Sequence, residues 1–98
     1  MSLDLVKSNL ENKLRFAPPI GYSVILNFND DGKLFLHADN RIDKTIPDDA
    51  DTTLTLSLET MDKIISGDTD PNMAVLLGKL KVSGKMGVAL KLASYLEQ

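Results

Sequence analysis

The chain has 98 residues, no cysteine and a net charge of −3, which makes it one domain (residues 1–98) with no room for a second core. The acidic balance argues against nucleic acid as a partner, because phosphate contacts need a basic stripe. The absence of cysteine excludes a disulfide framework, a thiolate metal site and a cysteine nucleophile.

The first part of the chain predicts a helix and then a β-hairpin. Apolar residues recur at helical spacing behind the potential cap Ser2, and a proline pair ends the helix. These apolar residues are Leu3, Val6, Leu10 and Leu14. Residues 22–28 and 33–38 are rich in strand-forming residues, and Asn29-Asp30-Asp31-Gly32 between them predicts the turn.

The middle of the chain predicts one clear strand and one doubtful one. Residues 52–57 alternate regularly, with Leu54 and Leu56 on one face and hydroxyl side chains on the other. Residues 39–51 are acidic and predict a loop, with a short additional strand near 42–46 as an option. In the hairpin, Phe35 falls on the opposite face from its leucine neighbours, so the pattern alone leaves open which face points inward.

The second half predicts two short helices, a strand and a terminal helix. Ser57 begins one helix, which ends at Gly67, and Asp70-Pro71 begins the next, which ends at Gly78. A strand over 79–83 and a helix from about Lys85 follow. The order predicts an α+β domain, in which a mostly antiparallel sheet of four or five strands is covered on one face by helices.

The terminal helix carries more apolar surface than packing on a sheet requires. Its apolar residues between Met86 and Leu96 cover roughly 220° of its circumference, whereas a surface helix needs a stripe only somewhat over 100° wide. Lys91 and Gln98 belong to the narrow polar side. The surplus predicts contact with a second layer of the protein, a partner subunit or an apolar ligand.

No pattern in the chain indicates catalysis, a metal site or a cofactor. His37 is the only histidine, and its place on a predicted strand favours a half-buried structural role. The aspartates of residues 29–51 lack calcium-loop spacing, and Gly78, Gly84 and Gly87 lack the spacing of a phosphate loop. We therefore predict a protein that is not an enzyme.

Residues 52–92 resemble the sterol carrier protein type-2 family. The similar pieces are the strand Thr53-Leu54-Thr55-Leu56-Ser57, then Ile64-Ile65-Ser66-Gly67, then Asp70-Pro71, then the run from Gly78 to Leu92. Their order and spacing carry the resemblance, and the hairpin at 23–38 extends it to about three quarters of the chain. Lys85 departs from the family pattern, which has Asn or Asp as the cap at this position, and the N-terminal part is shorter than usual.

The resemblance implies a five-stranded sheet with an apolar tunnel between sheet and helices, which binds or transfers a sterol, fatty acid, acyl-CoA or isoprenoid. The tunnel residues expected on this basis lie on the first strand and the last two helices. They are Val24, Leu26, Phe28, Met73, Leu76, Leu77, Met86 and Leu90. The alternative is an interaction module that docks on a lipid- or quinone-metabolising enzyme, or dimerises, through its terminal helix.

Charge is distributed unevenly along the chain. Residues 29–51 contain seven Asp, whereas residues 78–98 contain four Lys and one Glu. These segments form either two solvated faces or, for the basic one, a surface that approaches an anionic membrane transiently. The sequence has no signal peptide and no apolar run of membrane-spanning length, so a cytoplasmic location is expected.

Overall fold

A computed structural model describes residues 1–97, and Gln98 lies outside the described residues. The elements in chain order are α1 (Leu3–Leu14), β1 (Val24–Asn27), β2 (Lys33–Leu36), β3 (Ile42–Asp43), β4 (Thr52–Leu56), α2 (Leu58–Ser66), α3 (Pro71–Leu76), β5 (Leu80–Gly84) and α4 (Met86–Leu96). This order confirms the prediction, including the optional strand, which is two residues long. No helix within residues 1–97 is long and apolar enough to cross a membrane.

The five strands form one sheet in the order β3-β2-β1-β4-β5. Neighbouring strands are antiparallel except β1 and β4, which are parallel and place the first strand of the chain at the centre. The predicted α+β class with a mostly antiparallel sheet is therefore confirmed. β5 lies at one edge, and α4 follows it directly.

The inward face of the sheet is now defined. Leu34 and Leu36 of β2 are buried in the core cluster, opposite Leu26 and Val24 of β1 in the strand register. Phe35 lies outside that cluster and pairs instead with Ile25 on the outer face. Because side chains alternate along a strand, Phe35 lies on the opposite face from Leu34 and Leu36. The face of the hairpin that points inward is therefore the one that carries the two leucines.

Side-chain caps begin three of the four helices. Ser2, Ser57 and Asp70 each accept a hydrogen bond from a backbone N–H of the first turn, at 3.1, 3.0 and 2.9 Å respectively. Lys85 occupies the N-cap position of α4 and makes no such bond. The caps predicted for α1, α2 and α3 are confirmed, and so is the missing cap of α4, which costs about 1 kcal/mol relative to Asn.

β1 is shorter than the predicted strand over residues 22–28. The N–H of Ser23 donates to the Asp51 carboxylate at 2.9 Å instead of joining the sheet. The N–H of Phe28 donates to the carbonyl of Gly32 at 2.9 Å, which closes the turn around Asn29–Asp31. Side-chain and turn hydrogen bonds therefore set both ends of the strand.

The junction between β5 and α4 requires glycine at position 84. Gly84 has φ +110°, and a Cβ there would lie 2.7 Å from the carbonyl oxygen of Asp51 and 2.9 Å from Oγ1 of Thr52. Thr52 is buried and donates from Oγ1 to the carbonyl of Lys85 at 2.9 Å. This contact holds the start of α4 against β4.

We predict opposite effects of alanine at two nearby glycines. Gly84→Ala should lower the free energy of unfolding by about 2 kcal/mol or more, because it combines a strained backbone with a steric clash. Gly87→Ala should raise it by up to about 1 kcal/mol, because Gly87 is helical and a Cβ there meets no atom within 4 Å. Urea denaturation measures both changes, and equal effects would contradict this role of Gly84.

Candidate functional site

A shallow apolar groove lies between α3, the edge strand β5 and α4. Helix α3 is only six residues long and buries Pro71 and Ala74, so Val75 and Leu76 stay exposed beside it. The volume of the groove is about 320 Å³. Its walls consist of Pro71, Asn72, Val75, Leu76, Leu80, Met86, Ala89, Leu90 and Ala93. Asn72 is the only polar residue among them, so the groove suits a hydrocarbon better than a polar molecule.

The groove adjoins a small cavity between the sheet and the helices. The cavity has a volume of about 20 Å³, which is about the space of one water molecule. It is lined by Leu54, Leu56, Met61, Ile64, Pro71, Leu80, Ala89, Leu92, Ala93 and Leu96. Four residues line both spaces: Pro71, Leu80, Ala89 and Ala93. The groove on the surface and the cavity in the core are therefore separated only by shared side chains.

The residues expected from the sequence fall into three groups. Leu76, Met86 and Leu90 line the groove together. Met73 on α3 and Leu77 just after α3 are both exposed, but neither lines the groove.

The third group is the strand residues. Val24, Leu26 and Phe28 are buried in the core and line neither the groove nor the cavity. The topology explains this separation, because β4 lies between the central strand β1 and β5. A direct role of these three residues in binding stays a prediction.

Sequence reasoning missed five apolar wall residues of the groove. They are Pro71, Val75, Leu80, Ala89 and Ala93. One available signal was the pair of alanines on α4 at spacing i, i+4, which lie on the same side of the helix. Small side chains at such positions leave room between a helix and its neighbour. Leu80 had no distinguishing signal, since it looks like any inward-facing strand residue.

Two lysines flank a tyrosine on the other side of α4. The Nζ atoms of Lys85 and Lys91 lie 5.8 and 5.5 Å from the centroid of the Tyr22 ring, within the range of cation–π attraction. Lys91 also donates from Nζ to the carbonyl oxygen of Ile20 at 2.8 Å. Together with Gly87 and Val88, these residues line a concavity of about 290 Å³. One side of α4 is thus apolar and the other basic.

Asp51 ties this basic region to the sheet. Its carboxylate accepts hydrogen bonds from the N–H of Ser23 at 2.9 Å and from the hydroxyl of Ser23 at 3.3 Å. Lys85 Nζ lies 3.7 Å from the carboxylate. The bond from the Ser23 N–H, followed by the charge of Lys85, lowers the pKa of Asp51 below its ordinary value, because both favour the ionised form.

The outer face of the sheet carries the single histidine. Nε2 of His37 lies 2.6 Å from Oδ2 of Asp43, and the ring packs edge-on against Phe35 with centroids 4.6 Å apart. The side chain is half-buried, as predicted. Within residues 1–97, no group of three His, Asp or Glu residues is arranged to hold a metal ion.

Taken together, the geometry defines an α+β domain with an apolar groove at one sheet edge and no polar cluster inside it. Comparison with family models identifies it further. Residues 7–97 match the model of the SCP-2 sterol transfer family, and the chain belongs to this family. The match covers nearly the whole chain and confirms the resemblance seen in the sequence.

Individual relatives agree with this assignment. The chain is 33% identical over 98 residues to hydroxysteroid dehydrogenase-like protein 2 of Bos taurus, covering 96% of this chain and 23% of the bovine protein. Among solved structures, sterol carrier protein 2 like 2 of Aedes aegypti matches with a TM-score of 0.83 at 21% identity, covering 96% and 95% of the two chains.

A third similar structure contains a ligand. It is sterol carrier protein 2 of Aedes aegypti in complex with palmitate, which matches with a TM-score of 0.76 at 20% identity and covers 98% of this chain and 96% of its own. Likeness at this level of identity shows a common fold. The chain spans less than a quarter of the length of the bovine relative.

We predict that Asp51 makes the stability of the domain depend on pH. Its lowered pKa means that it stabilises the fold fully above about pH 4, the ordinary value of an unfolded aspartate. This stabilisation is lost as the pH falls through the lowered pKa. Asp51→Asn should therefore be less stable than the wild type near neutral pH, and the difference should shrink on acidification. Urea denaturation across pH measures it, and a constant difference would contradict the assignment.

Proposed function

We propose that this domain binds the hydrocarbon part of a lipid in the groove between α3, β5 and α4, without chemical change. The observation that supports this most directly is the composition of the groove wall, in which eight of nine residues are apolar. Its volume of about 320 Å³ lies at the lower end of the range typical of ligand sites. Leu76, Met86 and Leu90, expected from the sequence to bind the ligand, lie in this wall.

We further propose that a long chain extends from the groove into the adjoining cavity. The two spaces share wall residues, and a modest shift of the side chains between them would join them into one channel. Met61 lines the cavity, and its flexible thioether adapts to irregular contacts at little cost. The sequence-based idea of a tunnel is thus kept as a proposal, with its entrance at β5.

The energetics are sufficient without any polar anchor. Burying about 14 methylene groups gives on the order of 11 kcal/mol before the costs of ordering, at about 0.8 kcal/mol for each group. At the low end of the association cost, about 4 kcal/mol, about 7 kcal/mol remains, which corresponds to a dissociation constant in the micromolar range. Such an affinity suits a protein that both takes up and releases its ligand.

A non-catalytic role is supported by the chemistry of the wall, which contains no titratable side chain. His37 lies on the outer face of the sheet, whereas the groove lies between β5 and the helices on the inner face. The palmitate complex of the mosquito protein supports a fatty acid as one ligand class. The dehydrogenase-like relatives are more than four times longer, so we do not transfer dehydrogenase chemistry to this domain.

An interaction module remains the second candidate, because Met73 and Leu77 are exposed next to the groove without lining it. In this alternative, the apolar residues of α3 and α4 contact a second copy or a lipid-metabolising enzyme. A cytoplasmic location also stays a prediction from the sequence. Ligand binding separates the two candidates, since only the first requires a lipid.

A charge in the groove should weaken lipid binding strongly. Leu90→Glu places a carboxylate in the apolar wall, and we expect it to weaken binding of a fluorescent fatty acid at least about tenfold. Leu5→Glu is the matched control, because Leu5 is 49% exposed on α1 and Leu90 is 52% exposed on α4. Fluorescence titration measures binding, and circular dichroism checks folding. Unchanged binding by Leu90→Glu would refute the groove as the site.

A second variant tests the passage into the cavity. Ala93→Leu enlarges a residue that lines both spaces, so it should weaken binding of palmitate, which would occupy both, severalfold more than binding of decanoate, which would occupy the groove alone. Ser94→Leu serves as the control, since Ser94 is exposed on the same helix and lines neither space. Equal loss for both fatty acids would show that the chain does not enter the cavity.

A further inference from the structure

We propose that the groove selects lipids whose polar end is uncharged, with the Asn72 side chain as the hydrogen-bonding contact and the Asp70 carboxylate as the group that repels anionic ends. The inference rests on the proposed function, since it concerns a lipid held in the groove. It names the class of lipid that binds most tightly, a fatty alcohol or another lipid with a hydroxyl group. A fatty acid still binds through its hydrocarbon part, but less tightly.

Asn72 is the one polar residue in the wall of the groove. It is exposed on α3, and its backbone N–H already donates to Oδ1 of Asp70 at 2.9 Å. Within residues 1–97, no hydrogen bond joins its side-chain amide to another residue. The amide contains both donors and an acceptor, so a ligand hydroxyl can donate to it and accept from it. Recognition therefore rests on the side chain of Asn72 and not on the backbone of the short helix.

Asp70 places a negative charge beside this contact. Its carboxylate accepts the hydrogen bond from the N–H of Asn72, and Asp70 immediately precedes Pro71, another residue of the groove wall. Among the residues that the structure describes, Asp70 forms no ion pair. An anionic group that approached the Asn72 amide would be repelled by this charge, whereas a hydroxyl group would not. The residue that caps α3 thus also disfavours one class of ligand.

The lysines close in sequence provide no counter-charge inside the groove. Lys79 lines a different concavity together with Glu59, and Lys85 and Lys91 flank Tyr22 on the other side of α4. The groove wall contains no titratable side chain. A carboxylate in the groove would lose contact with water without gaining an opposite charge, which is costly, whereas a hydroxyl group that forms hydrogen bonds loses little.

A fatty acid can avoid this cost because the groove is shallow. Its carboxylate can stay in water at the open side while the hydrocarbon part contacts the wall. The amide of Asn72 then makes no contact with the ligand. The difference between an alcohol and an acid of equal length is therefore about one net hydrogen bond, which corresponds to about fivefold in the dissociation constant.

The first experiment compares decanol with decanoate, which have the same number of carbon atoms, by isothermal titration calorimetry at about pH 8, where decanoate is ionised. The wild type should bind decanol about fivefold more tightly. Asn72→Leu should weaken decanol binding about fivefold and change decanoate binding less than about twofold. Asn12→Leu is the matched control, since Asn12 is exposed on α1 and does not line the groove, and it should change neither affinity.

The second experiment removes the charge of Asp70 and keeps the cap of α3. Asn and Ser cap a helix about as well as Asp, so Asp70→Asn and Asp70→Ser should both fold, which circular dichroism checks. Each should tighten decanoate binding about threefold, the size of a charge interaction at a surface, and leave decanol binding nearly unchanged. Asp48→Asn is the matched control, because it removes the same charge from the loop between β3 and β4.

The outcomes separate this inference from the proposed function. If neither ligand binds, the proposed function is wrong and the inference is wrong with it. If the wild type binds both ligands equally, the inference alone is overturned. Equal weakening of both ligands by Asn72→Leu would refute Asn72 as the selective contact. Equal effects of Asp70→Asn and Asp48→Asn on decanoate would refute repulsion by Asp70.

Discussion

The shortness of α3 is the constraint on which the groove depends. Its N-terminus is set by the cap Asp70 with Pro71 in the first turn, and the chain leaves the helix before Gly78, whose φ is +74°. A helix of six residues makes fewer than two turns, so it can press only a narrow stripe against β5. Pro71 and Ala74 form that stripe, and both are small. The larger apolar residues that follow are left at the surface, where they form one wall of the groove.

The opposite wall depends on how α4 divides its apolar surface. Val88, Leu92 and Leu96 are buried against the sheet and the other helices, while Met86 and Leu90 remain exposed. Alanines between these two sets keep α4 close to β5 without filling the space beside α3. The start of the helix is positioned by Gly84 and the buried Thr52 rather than by a side-chain cap. The missing cap is therefore compensated by tertiary contacts, and the orientation of α4 relative to the groove follows from the strand that precedes it.

Local patterns determined most of the elements but not the position of the site. The caps, the turn at Asn29–Asp31 and the change from period two to period 3.6 predicted the four α-helices and four of the strands, with β3 only as an option. The hydrogen bonds of Ser23 and Phe28 make β1 shorter than predicted. Alternation also placed Val24 and Leu26 together on the inner face. It could not show that β1 is central, because the parallel pairing of β1 with β4 joins segments far apart in the chain. Because β1 is the central strand, Val24 and Leu26 are buried in the core and do not reach the groove at the edge of the sheet.

An open groove buries less of the apolar surface of a ligand than a closed tunnel does. A hydrocarbon chain lying in it would keep one side in contact with water, and each methylene that stays exposed would forgo up to about 0.8 kcal/mol. Entry of the chain end into the adjoining cavity would remove part of that exposure, since the cavity and the groove share wall residues. An open site with modest affinity would therefore suit uptake and release of a lipid better than long-term storage.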